Sequence, residues 1–348
     1  MSIFKKSLII LLVFSMLFTL SACSDNEQHQ GQIFAMNTFM TVTAYGKNGA
    51  VGVSVAEGVI NSLDKMLDPQ LSTSTVYAIN HANGQPVSVS TQVARMLSTA
   101  KEVYDLSGGA LDLSVYPLVK LWGFEDERYY VPSDEEIAAT LNKLCFSQLS
   151  LTSFVNTGTY SVTLPAGGEI SFGSVGKGCA AEYAIEAMKN AGIESGIVSL
   201  GGNVQTLGVK PNGDLWTVAI ADPDNVKNNG FVGIIDVGEA AVVTSGNYER
   251  FFTGDDGSHY CHIIKPSTGK PISNSLKSVT IVCDDGILAD CLSTAMFVLG
   301  PTQALNYWRT NGGFEMILIN NENKVTCTAG LIENFALTND NYTLEFTE

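Results

Sequence analysis

The sequence predicts an α+β fold, or an irregular α/β one, built as a single domain of mixed sheets with packed helices. Three observations carry this. Segments of period-two alternation interleave with segments of helical periodicity, but without strict βαβ regularity. No repeat, low-complexity tract or linker interrupts residues 32–348. The 348 residues are 45% hydrophobic, which is enough for one sizeable core. The net charge of −16 leaves no basic surface for nucleic acid and no general attraction to anionic lipid.

The N-terminus sets the compartment. Lys5 and Lys6 precede an apolar run over 7–19, suited to a signal peptide and short for a bilayer span. Leu20-Ser21-Ala22-Cys23 then resembles the bacterial lipobox. Residues 1–22 are expected to be a signal peptide, with Cys23 lipidated and 23–31 forming that anchor and a polar tether. The folded domain is expected over 32–348, lipid-anchored on the extracytoplasmic side of a bacterial cell membrane. The six further cysteines lack CxxC or Cys/His ligand spacing, and several sit in apolar runs, so they read as mostly free, buried thiols.

The elements follow in order. Residues 32–45 are β-branched and aromatic and alternate after Thr38, which predicts the first strand. Met36, where it begins, reads as core. Residues 51–66 carry Val55, Val59, Ile60, Leu63 and Met66 at helical spacing until Asp68-Pro69 breaks the pattern. Residues 91–107 repeat that spacing. Ser107-Gly108-Gly109 ends the helix, either as a glycine cap or as backbone free to approach a ligand. Ser133 and Glu136 make a capping box for a helix to Leu141. Residues 161–172 predict a strand and a hairpin through Pro165-Ala-Gly-Gly168, then a glycine-rich turn over 171–178 and a helix over 180–191. Strands are expected at 195–200, 216–220, 231–237 and 278–283, and an edge hairpin at 314–320 and 324–328. Residues 287–300 form an apolar helix closed by Gly300-Pro301.

Two polar residues interrupt that last helix. Asp290 and Thr294 are four apart and share a face, and a carboxylate stacked on a hydroxyl is half of a hard-cation site. The pair also fits a plain helix, with Asp290 favouring its N-terminal end and Thr294 bonding back to the carbonyl of residue 290. Ser171-Phe-Gly-Ser-Val-Gly-Lys-Gly178, between a strand and a helix, has the make-up of a phosphate cradle, with free amides, a helix N-terminus and the Lys177 ammonium. It lacks the GxxxxGK[ST] pattern of a P-loop. His262 ends a strand before the turn Pro266-Ser-Thr-Gly269, and reads either as a structural histidine or as part of a constructed loop.

The order of these signals is more telling than any one of them. Met36-x-Thr38, Ser107-Gly-Gly-Ala-Leu-Asp112, Trp122-Gly-Phe124, Gly173-x-x-Gly-Lys-Gly178, Leu200-Gly-Gly-Asn203, Thr244-Ser-Gly-Asn-Tyr248, His262-Ile-Ile-x-Pro-x-Thr-Gly269 and Ala289-Asp-x-x-x-Thr-Ala295 follow one another over nearly all of 32–330. The chain resembles the ApbE family of FAD:protein FMN transferases, many of them bacterial lipoproteins. That resemblance implies FAD as substrate, Mg2+, and an exported or membrane-bound acceptor protein whose threonine receives FMN while AMP leaves. It implies Asp290, Thr294 and the backbone carbonyl of Ser174 as metal ligands, and Lys177 against FAD. Met36 and the backbone of Gly109, Ala110 and Leu111 are expected to line the flavin and adenosine pocket. His262 is expected beside the reacting phosphates, as general base for the threonine.

Three positions depart from the family pattern. Lys265 and Ser171 stand where Asp is usual or frequent, and Gln70 or Ser74 falls where a tyrosine is expected. Two readings compete with transfer: a FAD pyrophosphatase, with water as acceptor, and a flavin-binding lipoprotein without turnover.

Overall fold

The computed structural model describes residues 26–154 and 158–347. The expected signal peptide, Cys23 and the first part of the tether lie outside the described residues.

A nine-stranded sheet organises the chain. Its strands are β1 (Gln28–Ala35), β2 (Thr38–Tyr45), β3 (Gly196–Leu200), β4 (Asn203–Leu207), β5 (Ala241–Gly246), β6 (Leu276–Cys283), β7 (Glu315–Asn320), β8 (Lys324–Thr328) and β9 (Thr343–Thr347). Spatial order follows chain order. Every neighbouring pair is antiparallel except β8 and β9. Both faces are covered, so a central strand such as β7 is a continuous apolar run whose side chains go alternately to two cores. On β7, Met316 and Leu318 join one core while Ile317 and Ile319 join the other. Each side chain of that size buried adds about 1.5–3 kcal/mol before the entropy of ordering is charged against it.

Helices cover the first face. They are α1 (Gly49–Leu67), α2 (Thr91–Leu106), α3 (Gly176–Asn190), α4 (Gly286–Leu299) and α5 (Pro301–Asn311). Helices α1, α3 and α4 pack on the sheet, and α2 packs against α4. The second face is closed by a three-stranded sheet of Trp216–Ala221, Phe231–Val237 and Phe335–Leu337. Among the described residues no helix is long and apolar enough to cross a membrane. The six described cysteines are free, five of them buried.

The structure corrects several boundaries. The single strand expected at 32–45 is the hairpin β1–β2. Its turn is Met36-Asn37, both at positive φ (48° and 60°), the mirror-image geometry that matches strand twist. The Met36 amide donates to Asp64 Oδ1 at 2.7 Å, which holds a non-glycine residue in this sparsely populated region. Strand β1 begins at Gln28, inside the expected tether, because Gln28–Gly31 pair with Tyr45–Val42. Residues 161–172 form no hairpin; strand Thr159–Thr163 pairs with Ser150–Phe154 and Val87–Val89 instead. Helix α3 starts at Gly176, so Lys177 stands in its first turn rather than in a loop.

Candidate active site

The crossing of α3 and α4 is tight, and glycine makes it so. A Cβ on Gly178 would lie 2.1 Å from the Gly286 carbonyl oxygen and 2.7 Å from Asp290 Cβ. Asp285 caps α4, its carboxylate accepting from the Leu288 amide at 2.9 Å. Asp290 is therefore not the capping acid. It sits a turn further in, 3% exposed, and its Oδ2 accepts from the Gly178 amide at 2.8 Å. Val175, at the cap of α3, has no side-chain oxygen to offer, so Asp290 takes up one of that helix's free amides.

Thr294 does not bond back to residue 290. The Ser293 hydroxyl does, at 2.9 Å from the Asp290 carbonyl. Thr294 Oγ1 turns toward Ser245 Oγ on β5 at 3.4 Å, and Ser245 Oγ lies 2.8 Å from Ser293 Oγ. Thr294 is half-buried, at the open end of the helix face. Asp290 forms no ion pair with a described residue, and a buried carboxylate without a cationic partner is costly. Among the described residues no three His, Cys, Asp or Glu side chains converge on a metal position. One carboxylate with hydroxyl and carbonyl oxygens suits a hard cation that keeps much of its water, and the donor set fits Mg2+ better than zinc.

The glycine-rich turn leads from Phe172 into α3, with Ser174 and Lys177 half-buried. The Ser171 amide donates to the Leu113 carbonyl at 3.0 Å and ties this turn to the segment after α2. There Gly108 and Gly109 take φ of 64° and 83°. Ser107 Oγ accepts from the Ala110 amide at 3.1 Å, and Ala110 and Leu111 are buried. The backbone of Gly109–Leu111 is thus fixed beside the turn.

Opposite stands His262. Its Nδ1 lies 3.2 Å from the Arg250 carbonyl, and donating there leaves the Nε2 lone pair free. Burial pushes the imidazole down to about 3, with the Arg250 and Lys177 charges adding to the effect. Desolvation by the surrounding protein lifts the Glu249 carboxyl above its usual range, against the pull of Lys177 and with the push of Asp290. Lys177, Glu249, Arg250, Asp290 and His262 are therefore near enough to act on one another's charges. A Cβ on Gly202 would meet Glu249 Oε1 at 2.9 Å, and one on Gly201 would meet Thr38 Oγ1 at 2.4 Å. The β3–β4 turn is thereby wedged between Thr38, at the start of β2, and Glu249. The Trp122-Gly-Phe124 cluster braces the histidine arm: Trp122 Nε1 donates to the Gly269 carbonyl at 2.9 Å, and Arg250 donates to the Phe124 carbonyl.

Sequence reasoning missed Glu249, Arg250 and Ser245 as site residues. Ser245 lies inside the Thr244–Tyr248 motif and Glu249 and Arg250 just past it, but nothing local reveals that they face Lys177, His262 or α4. Of the departures, Gln70 is occupied with Glu125 at 2.9 Å, and Lys265 is exposed on the strand Ile264–Lys265.

The comparison with known families decides the grouping, since the ApbE family model matches residues 36–318. The chain belongs to the ApbE family. The FAD:protein FMN transferase of Treponema pallidum (strain Nichols) is 31% identical over 326 residues, 89% of each chain. That of Vibrio cholerae is 32% identical over 264 residues, 73% of this chain and 77% of the other. The solved flavin transferase ApbE from Vibrio cholerae superposes with a TM-score of 0.77 at 26% identity, covering 88% of this chain and 99% of that one. The α+β architecture is thus the ApbE fold, and the match spans the whole described cleft.

Proposed function

We propose that this ApbE-family chain transfers FMN from FAD to a threonine hydroxyl of an acceptor protein. The threonine oxygen bonds to the FMN-side phosphorus, the pyrophosphate P–O bond breaks, and AMP leaves. What supports this reading is the family match over residues 36–318, together with the buried Asp290 beside Thr294 on one helix face and the Lys177 and Arg250 charges that act on His262.

Each side chain has work suited to its setting. Lys177 and Arg250 attract the pyrophosphate. Met36 and the Gly109–Leu111 backbone line the pocket for the flavin and adenosine. His262, held through Nδ1, takes the threonine proton at Nε2. Phosphates bound at Lys177 and Arg250 offset the charges that depress His262, so substrate raises its basicity. Asp290, Thr294 and the Ser174 carbonyl would hold Mg2+, which when bound spreads the charge developing on the pyrophosphate. Catalysis is then mostly positioning and electrostatics.

We further propose that Cys23 is lipidated and holds the domain at the outer side of the cell membrane, near exported or membrane-bound acceptors. The lipobox-like run before Cys23 supports this.

The test incubates the protein with FAD, Mg2+ and a small exported domain bearing a candidate acceptor threonine. A fluorescent acceptor band on a denaturing gel, lost with Asp290→Ala, is expected together with AMP. AMP and FMN without a labelled band favour hydrolysis, and bound FAD without AMP overturns the enzyme reading.

A further inference from the structure

Asn203 is the least explained residue near the cleft. It is 1% exposed, yet neither Oδ1 nor Nδ2 has a hydrogen-bond partner among the described residues. A buried carboxamide left unpaired opposes folding, so its place needs a reason. Its cross-strand partners are Leu200 and Val243, both in the core under the helices. Directly opposed residues point to one face, so Asn203 faces α3 and α4.

Its level along α4 can be worked out. At one end, the Oε1 of Gln205, two residues along the same face, lies 2.4 Å from where a Gly286 Cβ would stand. Gln205 pairs with Ala241 and Asn203 with Val243. At the other end, Ser245 meets Ser293 and Thr294. Residues 241 to 245 advance about 13 Å along a strand. Residues 286 to 294 advance about 12 Å along a helix. The two run side by side at matching pace, so Asn203, level with Val243, lies level with Asp290. Asp290 is also where α3 touches α4 through Gly178.

We infer that Asn203 is a positioning residue of the cation site: from the sheet below Asp290, its Oδ1 accepts a hydrogen bond from a water bound to the cation. This rests on the cation reading proposed above. A hard cation of this kind keeps several waters. Such a water has given its lone pair to the metal, so it needs acceptors, and a buried one needs two to four polar partners. Partners of this outer shell commonly change metal affinity by about 10–100-fold when removed. Gln205, whose Oε1 is likewise unpartnered, lies one turn further from the open end.

The test titrates the full-length protein with Mn2+ alone, following free Mn2+ by electron paramagnetic resonance, with urea unfolding as a control for fold. Asn203→Leu is expected to weaken Mn2+ binding about tenfold or more while the chain stays folded. Asn203→Asp, which keeps the acceptor oxygen, is expected to bind at least as well as wild type. Unchanged affinity in Asn203→Leu overturns the inference, as does a loss in Asn203→Asp equal to that in Asn203→Leu. Asp290→Ala separates the two layers. If Asp290→Ala binds Mn2+ like wild type, or wild type binds none, the cation reading itself falls. If Asp290→Ala loses binding and Asn203→Leu does not, only Asn203 is misassigned. Should Asn203→Leu not fold, wild-type crystals grown with Mn2+ decide: a water bridging Asn203 Oδ1 to the ion supports the assignment, and a carboxamide turned away from it overturns it.

Discussion

The two walls of the cleft are built on different principles. One wall is packed: α3 and α4 touch through Gly178 and Gly286, Asp290 is buried between them, and the Ser245 hydroxyl of β5 meets Ser293 and Thr294. The other is made of turns and short hairpins, carrying Met36, Glu249, Arg250, His262 and Lys265, and it is held by the Asp64 carboxylate, backbone carbonyls and one tryptophan. In the packed wall a Cβ added at Gly178 or Gly286 collides. In the loop wall Lys265 is exposed and an added atom there meets solvent. The contrast teaches that the Asp290 side is fixed by packing, while the side carrying His262 and Lys265 has room to vary.

The largest test of this contrast is His262→Ala. A general base supplies about 10²–10⁴-fold, so single-turnover transfer is expected to fall within that range while Mn2+ affinity stays near wild type. Undiminished transfer would remove the histidine from the chemistry.

Next is Gly178→Ala in the packed wall. Overpacking there is expected to cost about 1–3 kcal/mol in urea unfolding and to weaken Mn2+ binding as well. A fully stable Gly178→Ala protein would show that the helices can separate without loss. Ser245→Ala is expected to cost about 1 kcal/mol, since Ser293 Oγ and Thr294 Oγ1 lose a neighbour.

A smaller effect sharpens the electrostatics. In wild type the His262 ring is expected to titrate near 3, followed by proton NMR. Lys177→Gln removes a neighbouring positive charge and is expected to move that midpoint up, toward 6.5. Between those values the unfolded chain holds the proton and the native ring does not. Wild-type stability from this group therefore rises with pH across that window, and Lys177→Gln is expected to flatten the rise. A midpoint unmoved by the substitution would place Lys177 too far away to matter. The smallest effect is reserved for Lys265→Asp, with stability expected within about 0.5 kcal/mol and any change confined to the KM for FAD.

What was legible in the sequence divides along the same line. Asp290 and Thr294 stood out because helical spacing alone puts them on one face. His262 and Met36 became readable only through the order of motifs, since nothing in a lone histidine or methionine marks it as part of a site. The Met36–Asn37 turn was hidden because it lacks the glycine that usually signals a two-residue hairpin. The start of β1 was hidden because its residues are polar, and pairing with β2 rather than burial makes the strand. Asn203 and Glu249 have meaning only against Asp290, 87 and 41 positions away, a distance that no local pattern spans.

The order of the sheet has a consequence in time. Spatial order follows chain order, yet about 150 residues lie between Tyr45 at the end of β2 and Gly196 at the start of β3. Doubling such an excursion adds only about 0.6 kcal/mol to the closure of the loop, so the final fold is little affected. The rate is another matter, because that closure entropy must be met before β2 gains its second partner. Until then the β1–β2 hairpin keeps an unsatisfied strand edge. Refolding is therefore expected to pass through a slow phase that ends when β3 docks, and during that wait the open edge of β2 is the place where a second chain can add.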